Sequence, residues 1–126
     1  MRAFSTIVVA DALDIDRRRL DTLVGQHEID GVRRARQGVS RAFSPAAVLT
    51  LAVALELIDQ LAMSIPRALD VAHALISTGG EHALAAGIVV RIDVRAIERR
   101  VAERLTDAVA AHPPLRRGRP PSSRRR

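Results

Sequence analysis

Residues 16–27, Asp16-Arg17-Arg18-Arg19-Leu20-Asp21-Thr22-Leu23-Val24-Gly25-Gln26-His27, place Leu20, Leu23, Val24 and His27 at i, i+3, i+4 and i+7. That spacing draws one apolar stripe along a helix. Asp16 stands where an N-cap belongs, and the segment runs out between Gly25 and Gly31. At about 100° per residue, the face opposite the stripe carries Arg18 and Thr22, flanked by Arg17, Asp21 and Arg19. Such a helix needs a partner to cover its stripe.

The partner lies just upstream. Ser5 is an N-cap candidate, and Ile7, Ala10 and Leu13 recur at helical spacing, so residues 5–13 read as a short first helix ending within Leu13-Asp14-Ile15. Ala10 is small where two helices must cross closely, Ile15 can plug the turn, and Leu20 packs the second helix back on the first. This is the pattern of a helix-turn-helix. Its outward Arg18 and Thr22 then become candidates for the DNA major groove, where Arg grips guanine with two hydrogen bonds and Thr meets a base edge or methyl. The same residues also fit an ordinary solvated face with Arg17 paired to Asp21, worth only about 0.3 kcal/mol.

Downstream, residues 32–43 set Arg33, Arg34, Arg36 and Arg41 around Gly38 and suit a small β-ribbon. As a wing, the ribbon would neutralise phosphates with these four arginines, beside Arg17 and Arg19; as a plain element, it is a charged loop. Ser44-Pro45 opens a third helix as cap and first-turn proline. From Ala46 to about Ala62 that helix is apolar on nearly every side except a Glu56/Asp59/Gln60 stripe, which marks it as central. Ser64 and Pro66 start a fourth, with Ile65, Leu69, Ala72, Leu75 and Ile76 inward, and Gly79-Gly80 stop it.

Ile88-Val89-Val90-Arg91-Ile92 is a β-branched run, a short strand that can hairpin with residues 83–86. Asp93 caps a last helix, whose Val94, Ile97, Val101, Leu105 and Ala108 form a narrow seam. A seam and a strand with few partners in the chain imply a homodimer through Ile88, Val90, Ile92, Val94, Ile97, Val101 and Leu105. The expected fold is thus mainly α: a winged helix-turn-helix with a small β wing over residues 1–78, then a short strand and C-terminal dimerisation helix over 79–111. Pro, Gly, Ser and Arg dominate 112–126, where disorder is expected.

The chain has 126 residues, enough for one domain and a tail, which argues against a multidomain enzyme. Aromatics are 2% and hydrophobics 48%, so Leu, Val, Ile and Ala must fill the core. No cysteine is present, which removes disulfides, thiolate zinc sites and cysteine nucleophiles and makes the cytoplasm the expected compartment. No stretch reads as a signal peptide or membrane span. All 20 basic residues are Arg against 14 acids, a net charge of +6, and six of those Arg follow Leu115. The body is therefore neutral and the tail carries the excess, the mark of contact with a polyanion. Within the tail, Arg117-Gly118-Arg119-Pro120 resembles the core of an AT-hook, in which Arg117 and Arg119 would enter a narrow minor groove. A nonspecific cationic tail accounts for the same residues equally well.

The order helix, turn, helix with Asp16-Arg17-Arg18-Arg19-Leu20, then Gly38-Val39-Ser40-Arg41-Ala42-Phe43-Ser44 and an apolar helix followed by Met63-Ser64-Ile65, resembles a MerR-type winged helix-turn-helix. In that family the wing carries a Gly, an Arg and an aromatic just before the Ser that starts the third helix. Gly38, Arg41, Phe43 and Ser44 match in kind, with one residue more between Gly and Arg. The likeness runs from about residue 4 to 78. It departs where the family has an aromatic in the recognition helix, and where its long antiparallel coiled coil gives way here to Gly79-Gly80, a strand and one helix. The resemblance implies a dimeric DNA-binding transcriptional regulator on the nucleoid, and the departures from the family pattern point to the effector-less or phage-like sort, with no cofactor, metal or small-molecule effector. Two other readings share the sequence: an architectural or packaging DNA factor, excisionase-like or small terminase-like, and a protein-interaction adapter.

No catalytic set emerges, because there is no nucleophile elbow and no phosphate-cradling glycine loop. His73 with Glu81 and His82 lacks three convergent metal ligands.

Overall fold

A computed structural model describes residues 2–33 and 41–113 of the chain. Among these the order is β1 (Phe4–Ser5), α1 (Thr6–Leu13), α2 (Arg17–Gly25), β2 (Val32–Arg33), β3 (Ala42–Phe43), α3 (Pro45–Leu61), α4 (Ile65–Thr78), β4 (Glu81–Ala85), β5 (Ile88–Arg91) and α5 (Val94–Ala111). The fold is mainly helical with small antiparallel sheets. None of the described helices is long and apolar enough to cross a membrane.

Local chemistry starts the helices where expected. The side chains of Ser5, Asp16, Ser44 and Asp93 accept hydrogen bonds from the amides of Val8, Arg19, Ala47 and Ala96, each satisfying a donor that the first helical turn leaves open. Between α1 and α2, Asp14 takes the left-handed conformation at φ 57°, and its amide returns to the Ala10 and Asp11 carbonyls. This closes α1 and sends the chain into α2 within three residues. α2 stops at Gly25 with Gln26 as its cap, so the expected stripe loses His27, which lies beyond the helix.

Three very short strands form a sheet in the order β1-β3-β2, with Phe43 opposite both Phe4 and Val32. The ribbon expected between Val32 and Phe43 is therefore paired at its base. Its partner β1 has no counterpart in the sequence reading, since two residues carry no periodicity. Phe43 is fully buried in the main core with Val9, Leu20, Leu23, Val48 and Leu51. Burying side chains such as Leu20 and Leu23 contributes about 2 kcal/mol each, an upper figure for a chain already partly collapsed when unfolded. A second cluster joins α3 and α4 through Val53, Leu57, Ala72 and Leu75. Ile7, expected to face inward, is 49% exposed, and α1 buries Thr6, Val8, Val9, Ala10 and Ala12 instead.

The C-terminal part differs most from expectation. The hairpin that residues 88–92 can make with 83–86 is present, with β4 starting earlier at Glu81: β5 pairs with β4, Glu81 opposite Arg91 and Ala83 opposite Val89. α5 returns onto α1 and α3, where Val101 and Leu105 are 6% and 7% exposed. The seam predicted to await a second subunit is thus filled by the chain's own helices. Val101 and Leu105 are no dimer surface, and Val94 and Ile97 are also half covered by the core clusters. Ile92 lies past the end of β5, with its amide donating to the Gly80 carbonyl.

Candidate nucleic-acid interface

α2 is set by burial on one side only. Leu20, Leu23 and Val24 enter the core, while Arg17, Arg18, Asp21 and Thr22 are exposed and line a shallow groove with Gly25 and Gln26. The Thr22 hydroxyl donates to the Arg18 carbonyl at 3.0 Å. Its proton is thereby engaged, and its oxygen lone pairs and methyl group remain for an incoming ligand.

The arginines separate into two groups. Arg19 binds Asp59 on α3 at 2.8 Å, a pair that ties α2 to the central helix. Arg41 binds Asp21 at 2.8 Å, and its side chain is only 20% exposed. Arg19 and Arg41, both assigned to phosphates from the sequence, thus hold structural partners. An arginine already neutralised by a carboxylate gives little to a phosphate unless that pair opens. Asp21 is in turn drawn toward the ribbon and away from the expected partner Arg17. Arg17 and Arg18 have no ion-pair partner among the described residues. Arg33 sits on β2 at the exposed sheet edge. Arg34, Arg36, Arg117 and Arg119 lie outside the described residues.

Sequence reasoning passed over Arg2. Its guanidinium stands 5.3 Å from the Phe4 ring centre and shares a shallow basin with Arg33, Val32 and Phe43. The signal was available: residues i and i+2 of an extended segment share a face. Gly31 then sets how closely the ribbon leaves α2. It holds φ +88°, and an added Cβ would strike the Ser44 side chain that caps α3. The Gly31 carbonyl accepts from the Ser44 amide at 2.8 Å, so both branches of the ribbon are fastened at its base.

No group of three or more His, Asp or Glu able to hold a metal occurs among the described residues. No protein-family model, curated protein or solved structure matches this chain.

Proposed function

We propose that this chain is a MerR-like winged helix-turn-helix regulator that binds double-stranded DNA, with α2 in the major groove and the β2–β3 ribbon over the adjoining backbone. The observation that carries this reading is the division among the arginines. Arg19 and Arg41 are engaged by Asp59 and Asp21, whereas Arg17 and Arg18 stand with Thr22 on the open face of α2. Long charged side chains without ion-pair partners among the described residues, on a helix backed by a rigid core, suit groove entry, because the scaffold fixes their base while the tips stay adjustable.

In this reading Arg18 pairs with guanine and Thr22 meets a neighbouring base edge or methyl. Arg17, Arg33, Arg34 and Arg36 neutralise phosphates, and Arg41 acts through Asp21 as a positioning residue. A homodimer brings two copies of α2 to half-sites about 34 Å apart, one turn of the duplex. The activity needs no cofactor, and its place is the nucleoid in the cytoplasm.

Fluorescence anisotropy of the full chain on DNA selected from a random pool, against an unrelated duplex, tests the assignment. Arg18→Ala is expected to cost about 1 to 3 kcal/mol on the selected site and little on the unrelated one. An equal loss on both duplexes removes α2 from the groove.

A further inference from the structure

The β4–β5 hairpin carries a surface that DNA binding leaves unused. Ala83-Leu84-Ala85-Ala86-Gly87-Ile88-Val89-Val90 are eight consecutive residues without a charge or a proline. Glu81 and Arg91, at the far end from this tip, neutralise each other at 2.7 Å. Ile88 and Val89 are 56% and 57% exposed, the most open large apolar side chains among the described residues. β4 is the strand set against α4, and Leu84, Val90 and Ile92 turn onto the second core cluster. β5 has no strand on its other side among the described residues.

An open strand edge offers a row of backbone donors and acceptors, and proteins usually defend such an edge with charge, proline or a bulge. Here the register shift lies between Ala83 and Ala85, on β4, and β5 is undefended until Arg91. A two-stranded hairpin is also marginal by itself. We infer that a second copy of this chain lays its own β5 antiparallel on this edge, about a two-fold axis at Val89, to make a four-stranded sheet.

Self-complementarity selects this occupant. In that register Val89 faces the partner's Val89 and Ile88 faces the partner's Val90. Arg91 falls opposite the partner's Gly87, which has no side chain, so Arg91 keeps Glu81 and meets no like charge. The α5 seam cannot serve instead, because Val101 and Leu105 are consumed within the chain. This association gives the homodimer of the proposed function its interface, and it is read from mass alone, so its failure leaves the assignment of α2 to the groove standing.

The full chain is tested by sedimentation at micromolar concentration and by cross-linking. The chain has no cysteine, so Val89→Cys introduces its sole thiol. Facing Val89 pairs would stand about 4.5 to 5.5 Å apart, within reach of a disulfide. We expect wild type at twice 13.7 kDa, and Val89→Asp at 13.7 kDa with its helical circular dichroism unchanged. Val89→Cys should form a covalent dimer under mild oxidation, whereas Ser77→Cys on the exposed side of α4 should not. A monomeric wild type, a Val89→Asp variant that stays dimeric, or equal cross-linking at both positions overturns the inference.

Discussion

The guanidinium of Arg41 meets the Asp21 carboxylate at 2.8 Å, so the chain entering β3 is fastened to the middle of α2. The residues stand 20 positions apart, on the two elements that would have to contact one DNA site together. The pair orients the ribbon against the helix. It also neutralises the one acid among Arg17, Arg18 and Thr22, where a bare carboxylate would repel phosphate.

Asp21→Ala is therefore expected to act in two directions. Loss of a half-exposed pair costs about 1 kcal/mol of stability, seen as a lower urea midpoint. The freed Arg41 and the missing acid steepen the salt dependence of nonspecific DNA binding, by up to about 0.9 in slope for one more phosphate neutralised. Discrimination between selected and unrelated DNA falls, because the ribbon has lost its alignment. Unchanged discrimination would mean that the ribbon is held by other contacts.

Arg19→Ala gives the contrasting case. Its partner Asp59 lies on α3, and both side chains are about half exposed, so the loss to stability is about 0.5 kcal/mol. Affinity for selected and unrelated DNA should fall by the same small factor. A selective loss, as expected for Arg18→Ala, would return Arg19 to the groove.

What the sequence disclosed and what it hid divide by range. Asp16 and Ser44 could be assigned as caps because each acts on an amide three residues away. The outward face of α2 followed from Leu20, Leu23 and Val24 in the same way. Arg19–Asp59 and Arg100–Glu56 join residues 40 and 44 positions apart, and with twenty equivalent arginines no local rule selects the pairs. The α5 seam was visible, but its spacing fits a neighbouring helix in the same chain as well as one in another. Only the placement of α1 and α3 beneath it decides between them.

Leu105→Ala measures that placement. A leucine truncated in a core costs about 2 to 5 kcal/mol, and the lower half of the range is expected here because α5 ends only six residues later. The loss should be the same at every protein concentration, since the partners of Leu105 belong to its own chain. A loss that shrinks as the protein is concentrated would put Leu105 back at a subunit interface.

Gly31→Ala tests the junction of ribbon and helix. The left-handed backbone alone costs an alanine about 1 to 2 kcal/mol, and displacing Ser44 from its cap adds about 1. Thermal unfolding should therefore show a fall of 2 kcal/mol or more on this count. Gly25→Ala, in a helix with nothing within 4 Å of the new methyl, should instead be neutral or stabilising. Equal effects at the two glycines would remove the close approach at Gly31 as the cause.

The tail offers the sharpest separation of two modes of binding. Deleting residues 113–126 removes six arginines and takes the formal charge from +6 to 0, leaving a neutral body with its α2 face and ribbon intact. If the tail touches DNA, the slope of log affinity against log salt flattens by up to about 5, at about 0.9 per phosphate released. Gly118→Ala changes no charge. If Arg117-Gly118-Arg119-Pro120 enters the minor groove, the added methyl blocks close approach and abolishes any preference for A·T-rich flanks. If the tail acts as diffuse charge, that substitution leaves both preference and slope as they were, and only the deletion is felt. A slope unmoved by the deletion would show that the six arginines do not meet DNA, and recognition would then rest on Arg17, Arg18 and the ribbon.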